Sequence, residues 1–136
     1  MTALPPSVIS HVSVGTADYK RAQVFYDQVL ATLDIQRVFD ADEHKAVAYG
    51  RQFPEFWVQE PFDGKPPSVG NGYHVAFLAS GQQAVKDFYQ AAIAAGATGD
   101  GEPGPRPAYG DAYYCCFVRD LDGHKIEAMY WDESKA

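Results

Sequence analysis

The chain has 136 residues and a formal charge of −7, with 46% hydrophobic and 14% aromatic side chains. A chain of this size forms one domain, residues 1–136, burying roughly 65–70% of its unfolded surface, and it is too aromatic for a disordered segment. It has no run of basic residues to meet a nucleic-acid backbone, and no stretch of the ~18 apolar residues that a membrane span needs.

Residues 1–10 lack the basic and apolar regions of a secretion leader, which is the expectation for a cytoplasmic protein. Residues 8–15 read as a strand, and in Thr16-Ala17-Asp18 either Thr16 or Asp18 can cap a helix. That helix carries Ala22, Phe25, Tyr26, Val29, Leu30 and Leu33 at three- and four-residue steps. Strands are expected at 35–41, 45–50 and 55–60, with His44 exposed between Glu43 and Lys45. Residues 62–72, rich in Gly and Pro, form a linker.

The second half repeats the pattern. A strand at 73–79 leads to Ser80-Gly81-Gln82, where Ser80 is the expected cap. Val85, Phe88, Tyr89, Ala92 and Ile93 give the next helix its apolar face, and Gly96 suits a left-handed helix end. A weak strand near 97–101 precedes a Pro/Gly stretch, 101–107, expected to stay out of any ladder. Strands at 113–118 and 125–130 flank the hairpin signal Asp122-Gly123, next to which His124 is expected to be exposed. Cys115 and Cys116 would face opposite sides of a strand, which argues against a disulfide and suits a reducing compartment.

A shift of 63 residues lays His11-Val12 on His74-Val75, Phe25-Tyr26 on Phe88-Tyr89 and Ala31 on Ala94. Each half is a βαβββ module, about 8–62 and 72–131. One such module covers one sheet face with its helix and leaves the other bare. Pairing two into a curved, cup-like mixed sheet with the helices outside gives an α+β fold that buries it.

His11-Val12-Ser13-Val14 with Asp18 and Phe25-Tyr26, then His74-Val75-Ala76-Phe77, and finally Asp120-Leu121-Asp122-Gly123-His124-Lys125-Ile126-Glu127-Ala128 make up a recognisable set. On these motifs the chain resembles the vicinal oxygen chelate superfamily, which includes glyoxalase I, fosfomycin-modifying thiol transferases, extradiol dioxygenases and bleomycin-binding proteins. The resemblance implies one divalent metal ion inside the cup, held by His11, His74 and Glu127, with Glu127 also the candidate base. Two neutral imidazoles and a carboxylate form a facial set that leaves positions open for substrate, and Zn, Mn, Fe, Ni or Co would each suit it. Glu127 shares its strand face with Lys125 and Met129. A homodimer with exchanged or paired modules is also implied.

One departure from glyoxalase I concerns its fourth ligand, which comes from the last strand of the first module. Laying Phe56-Trp57-Val58 on Ile126-Glu127-Ala128 puts Trp57 there, and indole does not bind a metal. A two-residue slip would bring Gln59 or Glu55 to that face, and a one- or three-residue slip would bring Glu60. Taken at face value the site has three protein ligands, as in the dioxygenases and thiol transferases. Trp57 then reads as a pocket wall or as core filling. Arg106, framed by Pro105 and Pro107, is either an anchor for an anionic group or a solvated loop charge. Tyr109, Tyr113 and Tyr114 could line the same mouth, one of the last two facing away.

The function these residues imply is a divalent-metal-dependent enzyme of glyoxalase or dioxygenase type, acting on a small oxygen-chelating metabolite, with glyoxalase-like lyase the leading label. The alternative is a metal-free protein that binds and sequesters a bleomycin-like or aromatic compound. A third possibility is a domain with an eroded site and a structural role.

Overall fold

The computed structural model of the chain describes residues 7–136, so the expectation drawn from residues 1–10 falls mostly outside the described residues. The first module runs β1 (Val12–Gly15), α1 (Tyr19–Ala31), β2 (Gln36–Ala41), β3 (Ala46–Gly50) and β4 (Phe56–Gln59). The second runs β5 (Val75–Leu78), α2 (Gln82–Ala94), β6 (Thr98–Gly99), β7 (Gly104–Pro105), β8 (Tyr113–Arg119) and β9 (Lys125–Trp131). Both sheets are mixed and share one order. The first strand pairs in parallel with the last, giving β1-β4-β3-β2 and β5-β9-β8-β6, with β7 also on β8. They are two separately hydrogen-bonded sheets, not one continuous sheet.

Local sequence accounts for each helix. Asp18 caps α1 by accepting from the Arg21 amide, while Thr16 stays in the turn before it. Ser80 does not cap α2: Gly81 takes the cap position, without a side-chain bond. Gly96, at φ +107, closes α2. Its amide bonds to the Ile93 carbonyl and the Ala97 amide to that of Ala92, a double clasp that a left-handed residue permits. Asp34 at φ 56 closes α1 in the same way, with Ile35 bonding back to Leu30.

All six apolar positions expected on α1 are buried. On α2, Val85, Phe88 and Ala92 are buried, whereas Ile93 is 41% exposed, on the flank of the helix. The helices pack against β-residues of matching parity: Val12, Val14, Phe56, Val58, Val47 and Tyr49 in one sheet, Phe77, Ile126, Ala128, Cys116 and Val118 in the other. Each large apolar side chain so buried is worth roughly 1.5–3 kcal/mol. Both modules feed one core, joined where the Phe56 and Phe77 rings meet edge to face at 5.0 Å.

Two strand expectations are corrected. Residues 8–11 do not extend β1, because β4, its only ladder partner among the described residues, begins pairing at Val12; Val8 is 99% exposed. The Pro/Gly stretch does join a ladder, Gly104 and Pro105 pairing with Cys115 and Tyr114. Pro105 is tolerated there because the two-residue strand is an edge. Asp122-Gly123 does turn the β8–β9 hairpin, within a five-residue loop, residues 120–124, closed by the Asp120 amide on the His124 carbonyl and by Gly123 at φ 92.

Candidate functional site

Alternation along β9 turns Ile126 and Ala128 toward the helices and Lys125, Glu127, Met129 and Trp131 toward the open face. Register sets Glu127 between Ala76 of β5 and Phe117 of β8. His74, one residue before β5, approaches it: its Nε2 lies 2.9 Å from Glu127 Oε1. The other oxygen, Oε2, accepts from the Tyr113 hydroxyl at 2.5 Å. Glu127 is 1% exposed, whereas the His74 side chain is 42% exposed. Burial first, and then the bond to Glu127, push the Tyr113 hydroxyl well above its ordinary pKa, so it remains a donor. Burial and the Glu127 charge also raise the Cys115 thiol to about 11.

Tyr109, 60% exposed, packs edge-on against Tyr113 with ring centres 5.3 Å apart. Arg106 lies over Phe117 at 5.7 Å, and its guanidinium donates to the carbonyls of Glu102, Gly104 and Pro105 at 2.9, 3.0 and 3.1 Å. Arg106 therefore fastens its own loop beside the Glu127 row. His74, Glu127, Tyr113, Tyr109 and Arg106 are thus neighbours on one face.

His11 and Trp57 form a second group. His11 Nδ1 sits 2.9 Å from Ser10 Oγ, and its ring meets Trp57 edge-on at 6.3 Å. Trp57 also packs on Phe39 at 5.5 Å. Trp57 pairs with Ser13 as Glu127 pairs with Ala76, and Ser13 and Ala76 are equivalent in the repeat. The two last strands therefore align without a slip. Glu55 turns back instead to accept from the Arg51 amide at 3.1 Å.

His124, expected to be exposed, is instead buried, only 3% accessible. The loop that carries it folds over the end of β1, where Nε2 donates to the Gly15 carbonyl at 2.7 Å. With Nε2 the donor, Nδ1 accepts from the Tyr73 hydroxyl. In the same loop Asp120 accepts from Tyr26 of α1 and from the amides of Asp122 and His124. Arg51, in the β3–β4 loop, reaches the Leu78 carbonyl at the end of β5, making the equivalent clasp in reverse. Sequence reasoning missed Phe117 as a neighbour of Glu127, and Tyr73 and Asp120 as partners in the His124 clasp. Only Phe117 was findable, from strand parity opposite Glu127. His44 stays exposed, and both cysteines are free and buried.

Among the described residues, no three His, Cys, Asp or Glu side chains stand together in a way that would hold a metal ion. One chain brings together His74 and Glu127, while His11 remains on the other module. The pair itself fits a divalent cation: a buried carboxylate with an imidazole beside it is borderline-soft N/O ligation. No helix of the described residues is long and apolar enough to cross a membrane.

Residues 8–128 match the family model of the Glyoxalase/Bleomycin resistance protein/Dioxygenase superfamily. A glyoxalase/bleomycin resistance protein from Albidiferax ferrireducens T118 is 35% identical, with a TM-score of 0.79 over 90% of this chain and 98% of that one. The fold is shared with a fosfomycin resistance protein from Listeria monocytogenes, at 15% identity, TM-score 0.67 and coverage of 95% and 97%. It is shared also with a lactoylglutathione lyase from Agrobacterium tumefaciens, at 18% identity, TM-score 0.62 and coverage of 92% and 94%. No curated protein matches the chain. With nearly its whole length matched and both modules built alike, the chain belongs to the Glyoxalase/Bleomycin resistance protein/Dioxygenase superfamily.

Proposed function

We propose that this protein is a divalent-metal-dependent enzyme acting on a small oxygen-chelating metabolite, a glyoxalase-like lyase before a dioxygenase, in a reducing cytoplasm. The observation that carries it is Glu127: a carboxylate 1% exposed, with His74 at 2.9 Å, on a sheet face open to a ligand. His11, His74 and Glu127 would hold the metal, which when bound supplies Lewis-acid polarisation of a chelated substrate oxygen. Tyr113 fixes one Glu127 oxygen, so the carboxylate is oriented before substrate arrives and can take a proton at Oε1. Trp57 walls the first module's face, and Arg106 and Tyr109 shape the mouth above Phe117 and Tyr113.

Since one chain gathers only two of the three ligands, the third comes from the His11 of a second copy in a homodimer. In support, the open sheet faces display Phe39, Leu78 and Trp131 at 48%, 64% and 44% exposure, area that a second copy would cover. Mixing His11→Ala and His74→Ala chains tests it. Neither variant should hold metal alone, and random re-pairing should restore about a quarter of the sites. No recovery would place all ligands within one chain.

A second function has its own support. His74 and Tyr113 already satisfy both Glu127 oxygens, so the carboxylate is stable without a metal, and Trp57 with Phe39 offers an aromatic face. That suits a metal-free protein sequestering a planar compound, and saturable binding of such a compound to chelator-treated protein would favour it.

A further inference from the structure

Beside the Glu127 row lies a row of different character. The β5–β9–β8 register carries on to place His74, Lys125 and Arg119 side by side on the open face. Lys125 and Arg119 are a direct cross-strand pair, an arrangement of like charges that is normally unfavourable. The acid they share is Asp100, 3.1 Å from Arg119 Nε and 4.0 Å from Lys125 Nζ. One carboxylate serves two cations, so a positive charge remains. Both side chains are braced: Lys125 stands 4.6 Å over the Phe117 ring, and Arg119 donates to the Gly123 carbonyl at 3.3 Å.

These two cations, with Asn71, Gly72, Tyr73 and His74, line a cavity of about 420 Å³. In a chain of net charge −7 this is a local concentration of the opposite sign, which focuses field toward a small anion.

We propose that the cavity binds an oxyanionic head group of the substrate, a carboxylate or a phosphate, on Lys125 and Arg119. The next row on the strand is about 7 Å away, so a compact molecule anchored there reaches Glu127 with its other oxygens. The orientation toward Glu127 rests on the proposed function above; the anion site itself does not. Arg106, committed to its loop carbonyls, is not the anchor.

Backbone amide shifts of the full-length protein, titrated with inorganic phosphate and separately with acetate, test this. The titrations are run as purified and again after chelator treatment, so that anion bound by metal is subtracted. Saturable shifts are expected at Gly72 to His74 and at Arg119 and Lys125 with either anion, the tighter one identifying the head-group type. Lys125→Met and Arg119→Gln should each weaken binding about tenfold, Arg119→Lys should recover most of it, and Lys86→Met on the exposed side of α2 should change nothing. Unchanged spectra elsewhere report that the variants fold. Absence of saturable binding by the wild type, or wild-type affinity in both cavity variants, overturns the proposal. Metal content of the same variants should match wild type, so failure of the metal site and failure of the anion site are separate results.

Discussion

Trp57 and Glu127 occupy the same place in the two modules: each is the second residue-pair partner along the first strand, Trp57 opposite Ser13 and Glu127 opposite Ala76. Internal symmetry thus offers two sites for a carboxylate, and this chain fills one of them with indole. Trp57→Phe should leave metal content unchanged, because no ligand is lost. Trp57→Glu should tighten divalent-metal binding about tenfold by adding a fourth donor. Metal affinity measured by competition with a chelating dye checks both, and loss of metal in Trp57→Phe would contradict the three-ligand set.

Tyr113 holds the buried Glu127 carboxylate. Removing the hydroxyl in Tyr113→Phe leaves Oε2 without its donor in a site 1% exposed, at a cost of about 1–3 kcal/mol. Chemical denaturation of the metal-free protein should show this loss. Equal stability of variant and wild type would mean that the hydroxyl bond is not holding the carboxylate.

At the seam between modules, His124 ties the β8–β9 loop to Gly15 and to Tyr73. His124→Ala deletes two buried hydrogen bonds and leaves a cavity, so it should destabilise the fold by about 2–3 kcal/mol. A thermal or denaturant midpoint shared with wild type would show that the clasp carries no stability.

Asp120, buried beside it, has its pKa raised by burial, which its hydrogen bonds only partly offset. The folded chain therefore holds this proton more tightly than the unfolded one. The stability from protonated Asp120 is complete below the ordinary carboxylate value and is lost as pH rises through the raised folded value. Asp120→Asn does not titrate, so its stability relative to wild type should improve as pH rises from about 4, the ordinary carboxylate value, through the raised folded value. Parallel stability curves for the two proteins would contradict this.

Much of the fold was legible because it is written twice. The apolar spacing of α1, the Phe-Tyr pair of each helix and the strand-to-helix breaks recur at one offset, so each half supports the other. What misled were local signals with tertiary answers. His124 next to a turn signal looks solvated, yet the loop folds inward because Gly15 and Tyr73 give its ring two partners. Gly104 and Pro105 look unfit for a ladder, yet an edge position on β8 asks for few donors. Within the candidate site, Glu127 and His74 were named by motif and stand 2.9 Å apart, with Tyr113 bonded to Glu127 from the neighbouring strand. The use of Arg106 on its own loop carbonyls leaves no trace in sequence, since it depends on the turn that Pro105 and Pro107 impose.

The central claim is that His74 and Glu127 hold a metal ion. The most direct test is elemental mass spectrometry of the untagged protein beside His74→Ala and Glu127→Gln. The account predicts about one divalent metal ion per chain in wild type, lost in both variants. A wild-type protein that stays empty after incubation with Zn, Mn, Fe, Ni and Co would contradict it and leave the metal-free binding protein in its place.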